Sequence, residues 1–179
     1  ILAKIGDKTL DEEVAEVQLL MWERRWAEAE ARIAQRGVAD PKAREWDRMA
    51  ASVASRSGDL AKSSEILSKL VAEGDLMSLN QLAWVDAARG PSTEATERAA
   101  RRAMEFAKPI GSTYVGMVAN TLAWVQLERG ELGEVAESIR AAIPIGKKLR
   151  DEDHLLLGRL AEALGYPELA RTHYQAIKV

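Results

Sequence analysis

Cysteine is absent from the 179 residues, histidine occurs twice, and Phe, Trp and Tyr together make up 5% of the chain. Without thiols there are no disulfide scaffolds, cysteine nucleophiles, zinc fingers or iron–sulfur sites. There is no run of about 18 apolar residues, so no spanning helix and no membrane insertion are expected. Nor is there an excess of positive charge: 25 basic residues face 28 acidic ones, for a net charge of −3. That balance supplies no basic field for nucleic acid or anionic lipid. Catalytic signatures are missing as well, with no GxSxG, no phosphate-cradling glycine loop and no dinucleotide fingerprint. Gly111-Ser-Thr-Tyr-Val-Gly116 reads as a connector. His154 and His173 are read as lying far apart in different helices. His154 follows Asp151-Glu152-Asp153, but residues one to three apart do not converge on a helix face, and the HExxH spacing is lacking. The acidic run reads instead as a helix N-terminus favoured by its dipole. No catalytic residue, metal ligand or cofactor is expected. The start at Ile1 rather than Met, with no signal peptide, reads as a processed protein or an excised domain.

What is present is helix-forming sequence. Alanine is abundant, glycine (12) and proline (5) are sparse, and strand-type Val/Ile/Thr runs are lacking. Apolar residues recur at three and four, as in Val14, Val17, Leu20 and Met21, or Leu60, Ile66, Leu67 and Leu70. Helix starts are expected at Thr9-Leu10-Asp11-Glu12 as a capping box, at Asp40-Pro41, at Asp75 after the stop at Gly74, at Ser112 or Thr113, and at Asp151.

The strongest signal is internal repetition. Met77-Ser-Leu-Asn80-Gln-Leu82-Ala83-Trp84-Val85 returns as Met117-Val-Ala-Asn120-Thr-Leu122-Ala123-Trp124-Val125, with six identities in nine positions at an interval of 40 residues. Asn80 and Asn120 are the only asparagines in the chain. Each block is followed by a glycine, Gly90 or Gly130. With Gly58, Gly165 and Arg24 in an equivalent context, these mark five turns at intervals of 34, 32, 40 and 35 residues. Periods of 20–50 residues signal an array of supersecondary units.

These units resemble tetratricopeptide repeats, helix–turn–helix units of about 34 residues. The last fits best, with Leu157-Gly158, Ala161, the turn at Gly165, then Ala170 and Tyr174. The fourth has Leu122-Ala123, Gly130, Leu132, Val135, Ile139 and Ala142, and the third has Leu82-Ala83, Gly90, Ala95 and Ala99. Ala50-Ala51, Gly58, Ser63 and Leu67 carry the second, and Arg24-Arg25-Trp26, Ala29 and Ile33 the first. The resemblance implies an all-α fold, a right-handed α-solenoid of antiparallel helical hairpins. Its units would cover roughly 9–38, 40–73, 75–108, 112–147 and 151–179, after a linker or the end of a preceding domain at 1–8. Most first helices lack the family's tyrosine. The 40-residue interval around Pro109-Ile110-Gly111 implies an irregular superhelix.

Met77, Asn80 and Trp84 are spaced i, i+3, i+7 and share one helix face, as do Met117, Asn120 and Trp124. The resemblance places that face in a concave groove, where amides would bond a peptide backbone while Trp and Met supply contact area. The alternative is ordinary packing, with each Trp half-buried and each Asn bonding a neighbouring carbonyl. Arg48, Ser52 and Arg56 continue the candidate groove in the second unit, and Glu128, Arg159 and Glu162 lie near its other end; both sets also suit a salt-bridged, solvated face. The basic partners of a chaperone-tail carboxylate clamp are missing around Asn80 and Asn120. Trp26 reads as a bulky turn residue, Trp22 as a contact for a preceding domain, and Arg98, Arg101 and Arg102 as plain surface. The expected function is a protein-interaction scaffold binding a peptide or partner domain, as a module of a larger protein. Alternatives are a regulatory or dimerising arm of an enzyme catalysing elsewhere, and pentatricopeptide-like RNA binding, against which the charge and the wandering repeat length stand. An uncapped last unit also allows a homo-oligomer.

Overall fold

The computed structural model describes residues 10–35, 43–143, 146 and 148–178. They form α1 (Leu10–Trp22), α2 (Trp26–Ala34), α3 (Ala43–Ser57), α4 (Leu60–Ala72), α5 (Ser78–Arg89), α6 (Glu94–Ala107), α7 (Ser112–Glu128), α8 (Leu132–Ala142), α9 (Asp151–Ala163) and α10 (Pro167–Ala176). Among the described residues there is no strand, as an all-α fold requires. The chain divides into two compact units, with the boundary between Ala72 and Glu73.

In the first unit α1 packs on α2, α2 on α3 and α3 on α4. Val17, Ala29, Trp46 and Val53 form its core, surrounded by Val14, Leu20, Met21, Trp26, Ile33 and Met49. The three-and-four spacing of α1 is thus the spacing of its core face. A buried hydroxyl ties the second helix pair together, Ser63 Oγ donating to the Ala51 carbonyl at 2.8 Å.

In the second unit each helix packs on a sequence neighbour, and α7 additionally packs on both α5 and α9. Surrounded by α5, α6, α8 and α9, α7 is buried on nearly every side. Between Met117 and Glu128 only Met117, Asn120, Trp124 and Glu128 escape burial. That is the i, i+3, i+7, i+11 line of one helix face. Small side chains permit the close approach: Ala83 and Ala123 are fully buried. Ala83, Ala87, Ala100, Leu122 and Val125 form one core cluster, and Ala123, Leu127, Val135 and Leu156 another.

Four helix pairs are joined by the same turn. At Arg24, Gly58, Gly130 and Gly165 the backbone enters the left-handed region. The following amide donates back to the helix: Arg25 to Leu20, Asp59 to Ala54, Glu131 to Gln126 and Tyr166 to Ala161, at 2.8–2.9 Å. The left-handed residue itself donates to Met21, Ser55, Leu127 and Glu162. This is the Schellman closure, satisfying carbonyls the helix leaves open. Arg24, at φ 58°, occupies the position that glycine fills in the other three.

The third expected turn is different. Gly90 has φ 168°, extended backbone, and the chain continues through Pro91 to a Thr93 cap that accepts from the Thr96 amide. Other expected starts are corrected too. Gly111, not Ser112 or Thr113, caps α7, and no side chain bonds there. Arg150, not Asp151, precedes α9, and Asp153 accepts from its amide at 2.9 Å. The cap expected at Asp75 falls instead at Met77, without a side-chain cap bond, and Asp75, two residues earlier, accepts from the Met77 amide and the Ser78 hydroxyl. The expected caps at Thr9 and Asp40 lie outside the described residues.

Two substitutions test this packing. Arg24→Gly removes a left-handed non-glycine residue and should raise stability by about 0.5–1 kcal/mol in a urea melt; a loss would mean the turn is not strained. A Cβ on Gly158 would overlap the ring of Tyr174. Gly158→Ala should therefore cost about 1–3 kcal/mol. Combined with Tyr174→Ala, it should cost less than the sum of the two single changes.

Candidate functional site

The repeated block forms a solvent-facing stripe on two adjacent helices of the second unit. Met77, just before α5, is 49% exposed, Trp84 47% and Met117 46%, although each is large and apolar. Asn80 and Asn120 are half-buried between them. Burial of Leu79, Leu82, Ala83 and Val85 fixes the orientation of α5, and burial of Val118, Ala119, Leu122 and Ala123 fixes that of α7. The residues that match between the blocks thus split into a core set, Leu, Ala and Val, and an outward set, Met, Asn and Trp.

The two tryptophans are not equivalent. Trp124 packs against both core clusters, bridging the α5–α6–α7 contact to the α7–α8–α9 contact. Trp84 leaves about half of its surface to solvent.

Asn80 Oδ1 and Asn120 Nδ2 are closed off from solvent and have no hydrogen-bond partner among the described residues. Leaving a buried amide group unpaired costs about 1–3 kcal/mol. The only two asparagines of the chain incur that cost at the same position of a repeated block.

On α9 the stripe changes character. The register that aligns Leu157-Gly158 with Leu122-Ala123 puts Leu155 opposite Asn120 and Arg159 opposite Trp124. Leu155 is 42% exposed. Arg159 donates to Glu128 Oε1 at 2.9 Å and pairs with Glu162 at 3.5 Å. The bond to Glu128 is the main cause raising the Arg159 pKa. Glu128, Arg159 and Glu162, named from sequence as a polar set, are therefore one ion-paired group bordering the apolar stripe.

Arg48, Ser52 and Arg56 lie on α3 in the first unit. Arg48 and Ser52 are half-buried and make interactions of their own, while Arg56 is exposed. Of the remaining tryptophans, Trp26 packs on the first unit's core, Trp46 lies within it, and Trp22 is 81% exposed. The expected plain basic surface on α6 is partly structured. Arg98 pairs with Glu94, whereas Arg101 binds Glu97 and Glu134, and Arg129 binds Glu97 and Glu131. Glu97, Glu131 and Glu134 converge within one ion's reach, and each of them is already paired with one or both of these guanidiniums. Arg101 holds the Glu134 carboxyl below its ordinary pKa.

The histidines correct the sequence reading. His154 on α9 and His173 on α10 are neighbours, with Nδ1 atoms 3.1 Å apart and ring centroids 5.4 Å apart. Burial, and secondarily His154, pushes the His173 pKa down. Burial also pushes the Asp153 carboxyl up, but bonds from the Arg150 side chain and amide outweigh it and hold that carboxyl below its usual value. A signal for the histidine contact was present in the sequence: the two flank the Gly165 turn, which brings α9 against α10. A shallow cleft of about 430 Å³ opens on the same helix pair, lined by Glu162, Pro167, Ala170, Arg171, Tyr174 and Gln175.

No protein-family model, characterised protein or solved structure matches the chain. No helix among the described residues is long and apolar enough to cross a membrane.

The inequality of the tryptophans is testable by chemical denaturation. Trp124→Ala opens both clusters and should cost about 2–4 kcal/mol. Trp84→Ala, at a half-exposed site, should cost about 1 kcal/mol or less. Equal losses would show that Trp84 is a core residue.

Proposed function

We propose that this chain is a tetratricopeptide-like array, a right-handed solenoid of antiparallel helical hairpins, that acts as a protein-interaction scaffold. The binding face is the stripe Met77, Asn80, Trp84, Met117, Asn120 and Trp124, and the ligand is an extended peptide segment of a partner protein. The array is non-catalytic and works as a module of a larger assembly. The four like turns and the packing of α7 on both α5 and α9 support the repeat reading.

One observation carries the functional reading. Both asparagines of the stripe keep an amide atom unpaired and shut off from water, beside large apolar side chains that remain exposed. A scaffold selected only for stability would replace such amides with apolar residues, because an unpaired buried amide opposes folding. A ligand reverses the balance. An amide offers both a donor and an acceptor, the complement of a peptide group, and small side-chain rotations would bring both to an incoming backbone. Indole and thioether groups on either side supply apolar contact area around that polar centre. Recognition through backbone groups makes the scaffold tolerant of ligand sequence, with preference set by the apolar side chains that reach the Met and Trp positions.

The experiment separates binding from stability. A displayed library of unstructured peptides is selected on the wild-type chain, and enriched peptides are titrated against the Asn80→Ala/Asn120→Ala double variant. Affinity should fall about 10-fold or more, the equivalent of one to two lost hydrogen bonds. The variant should be as stable as wild type, or up to about 1 kcal/mol more so, since alanine removes an unpaired group and favours helix. A destabilised variant would mean that the amides hold the helices together; undiminished binding would place the ligand elsewhere.

A further inference from the structure

The histidine pair belongs to neither the stripe nor the core clusters. His154 and His173 come from two packed helices and direct Nδ1 at Nδ1 across 3.1 Å, with ring planes inclined at 50°. Two imidazole lone pairs cannot face each other at that distance without something between them. In the metal-free pair it is a proton, carried by one ring on Nδ1 and donated to the other. A metal ion is the other solution. With metal–nitrogen bonds of about 2.05 Å, nitrogens 3.1 Å apart subtend roughly 100° at the ion, within the range of tetrahedral and square-planar sites.

We propose that His154 and His173 form a two-imidazole site for a borderline divalent transition-metal ion, Cu²⁺, Ni²⁺ or Zn²⁺, with water completing its coordination. Two features support it. The helices are held close beside the pair, since Gly158, one turn from His154, packs against the ring of Tyr174, the neighbour of His173. That crossing presets the distance between the two helices. Binding to the neutral pair requires only that one ring move its proton from Nδ1 to Nε2, with no net proton change. The donor set is also nitrogen-only. Glu152 and Asp153 are engaged by Arg150, and Asp151 accepts from the Lys178 amide at 3.4 Å. Among the described residues no carboxylate joins the pair within one ion's reach. Such a site discriminates against Mg²⁺ and Ca²⁺, which demand oxygen.

The test uses the full chain without an affinity tag. Calorimetric titration with CuCl₂, NiCl₂, ZnCl₂ and MgCl₂ should show one equivalent bound, Cu²⁺ tightest, Mg²⁺ not at all. His154→Gln and His173→Gln should each weaken Cu²⁺ binding by about 10-fold or more, since losing even an outer-shell partner costs that much. Electron paramagnetic resonance of the Cu²⁺-loaded wild type should show coupling to two imidazole nitrogens, a readout independent of how the variants fold. Equal binding by wild type and variants, a spectrum with one nitrogen or none, or no Cu²⁺ binding below millimolar concentration would overturn the site.

Discussion

The enclosure of α7 by its neighbours determines what the repeated block presents to its surroundings. A helix whose side chains are apolar on most sides must be enclosed by neighbours, and α7 is enclosed by four. Alanine makes that enclosure possible. Ala83 is fully buried in the cluster that α5, α6 and α7 share, and Ala123 in the one that α7, α8 and α9 share, and such small side chains let helices pack closely. Leu79, Leu82 and Val85 on α5, and Ala119, Leu122 and Val125 on α7, face inward. Helical geometry then sets Asn80, Trp84, Asn120 and Trp124 on the side away from them. The outward stripe is thus a geometric consequence of the buried face.

Within that constraint the two blocks are used differently. Trp124 is shared between two core clusters and couples neighbouring helix pairs, whereas Trp84 has its face half free. The same motif therefore contributes mostly stability at one repeat and mostly surface at the other. Ion pairs complete the margins: Glu128 with Arg159 beside the stripe, and Arg101 and Arg129 with three glutamates elsewhere. These pairs lie at or near the surface, where solvent screens them and each contributes little. They fix side chains in place more than they hold the fold.

Much of the packing could be read from the sequence because repetition exposes which positions the fold reuses. Leu82-Ala83 and Leu122-Ala123 announced a close helix contact, and the asparagines stood out by being used nowhere else. Arg24 was legible as a turn through its place in the series, although arginine gives no local hint of left-handed backbone. Gly90 misled for the complementary reason: glycine permits that conformation without requiring it, and Pro91 with the Thr93–Thr96 cap imposes an extended link instead. The histidine contact is not legible from helix spacing alone, because a separation of 19 residues has no helical-face meaning; only the Gly165 turn between them pointed to it. The unpaired amides could not be read at all, since an asparagine's hydrogen bonds depend on neighbours that only folding supplies.

The claim on which the functional reading stands is that Asn80 and Asn120 meet a ligand. Because they are the only asparagines, selective ¹⁵N-asparagine labelling yields side-chain amide signals from these two residues and no others. Adding a selected peptide should shift both side-chain pairs along one saturable curve, with a single dissociation constant matching that from tryptophan fluorescence. Side-chain amide signals that stay in place while the peptide binds would contradict it.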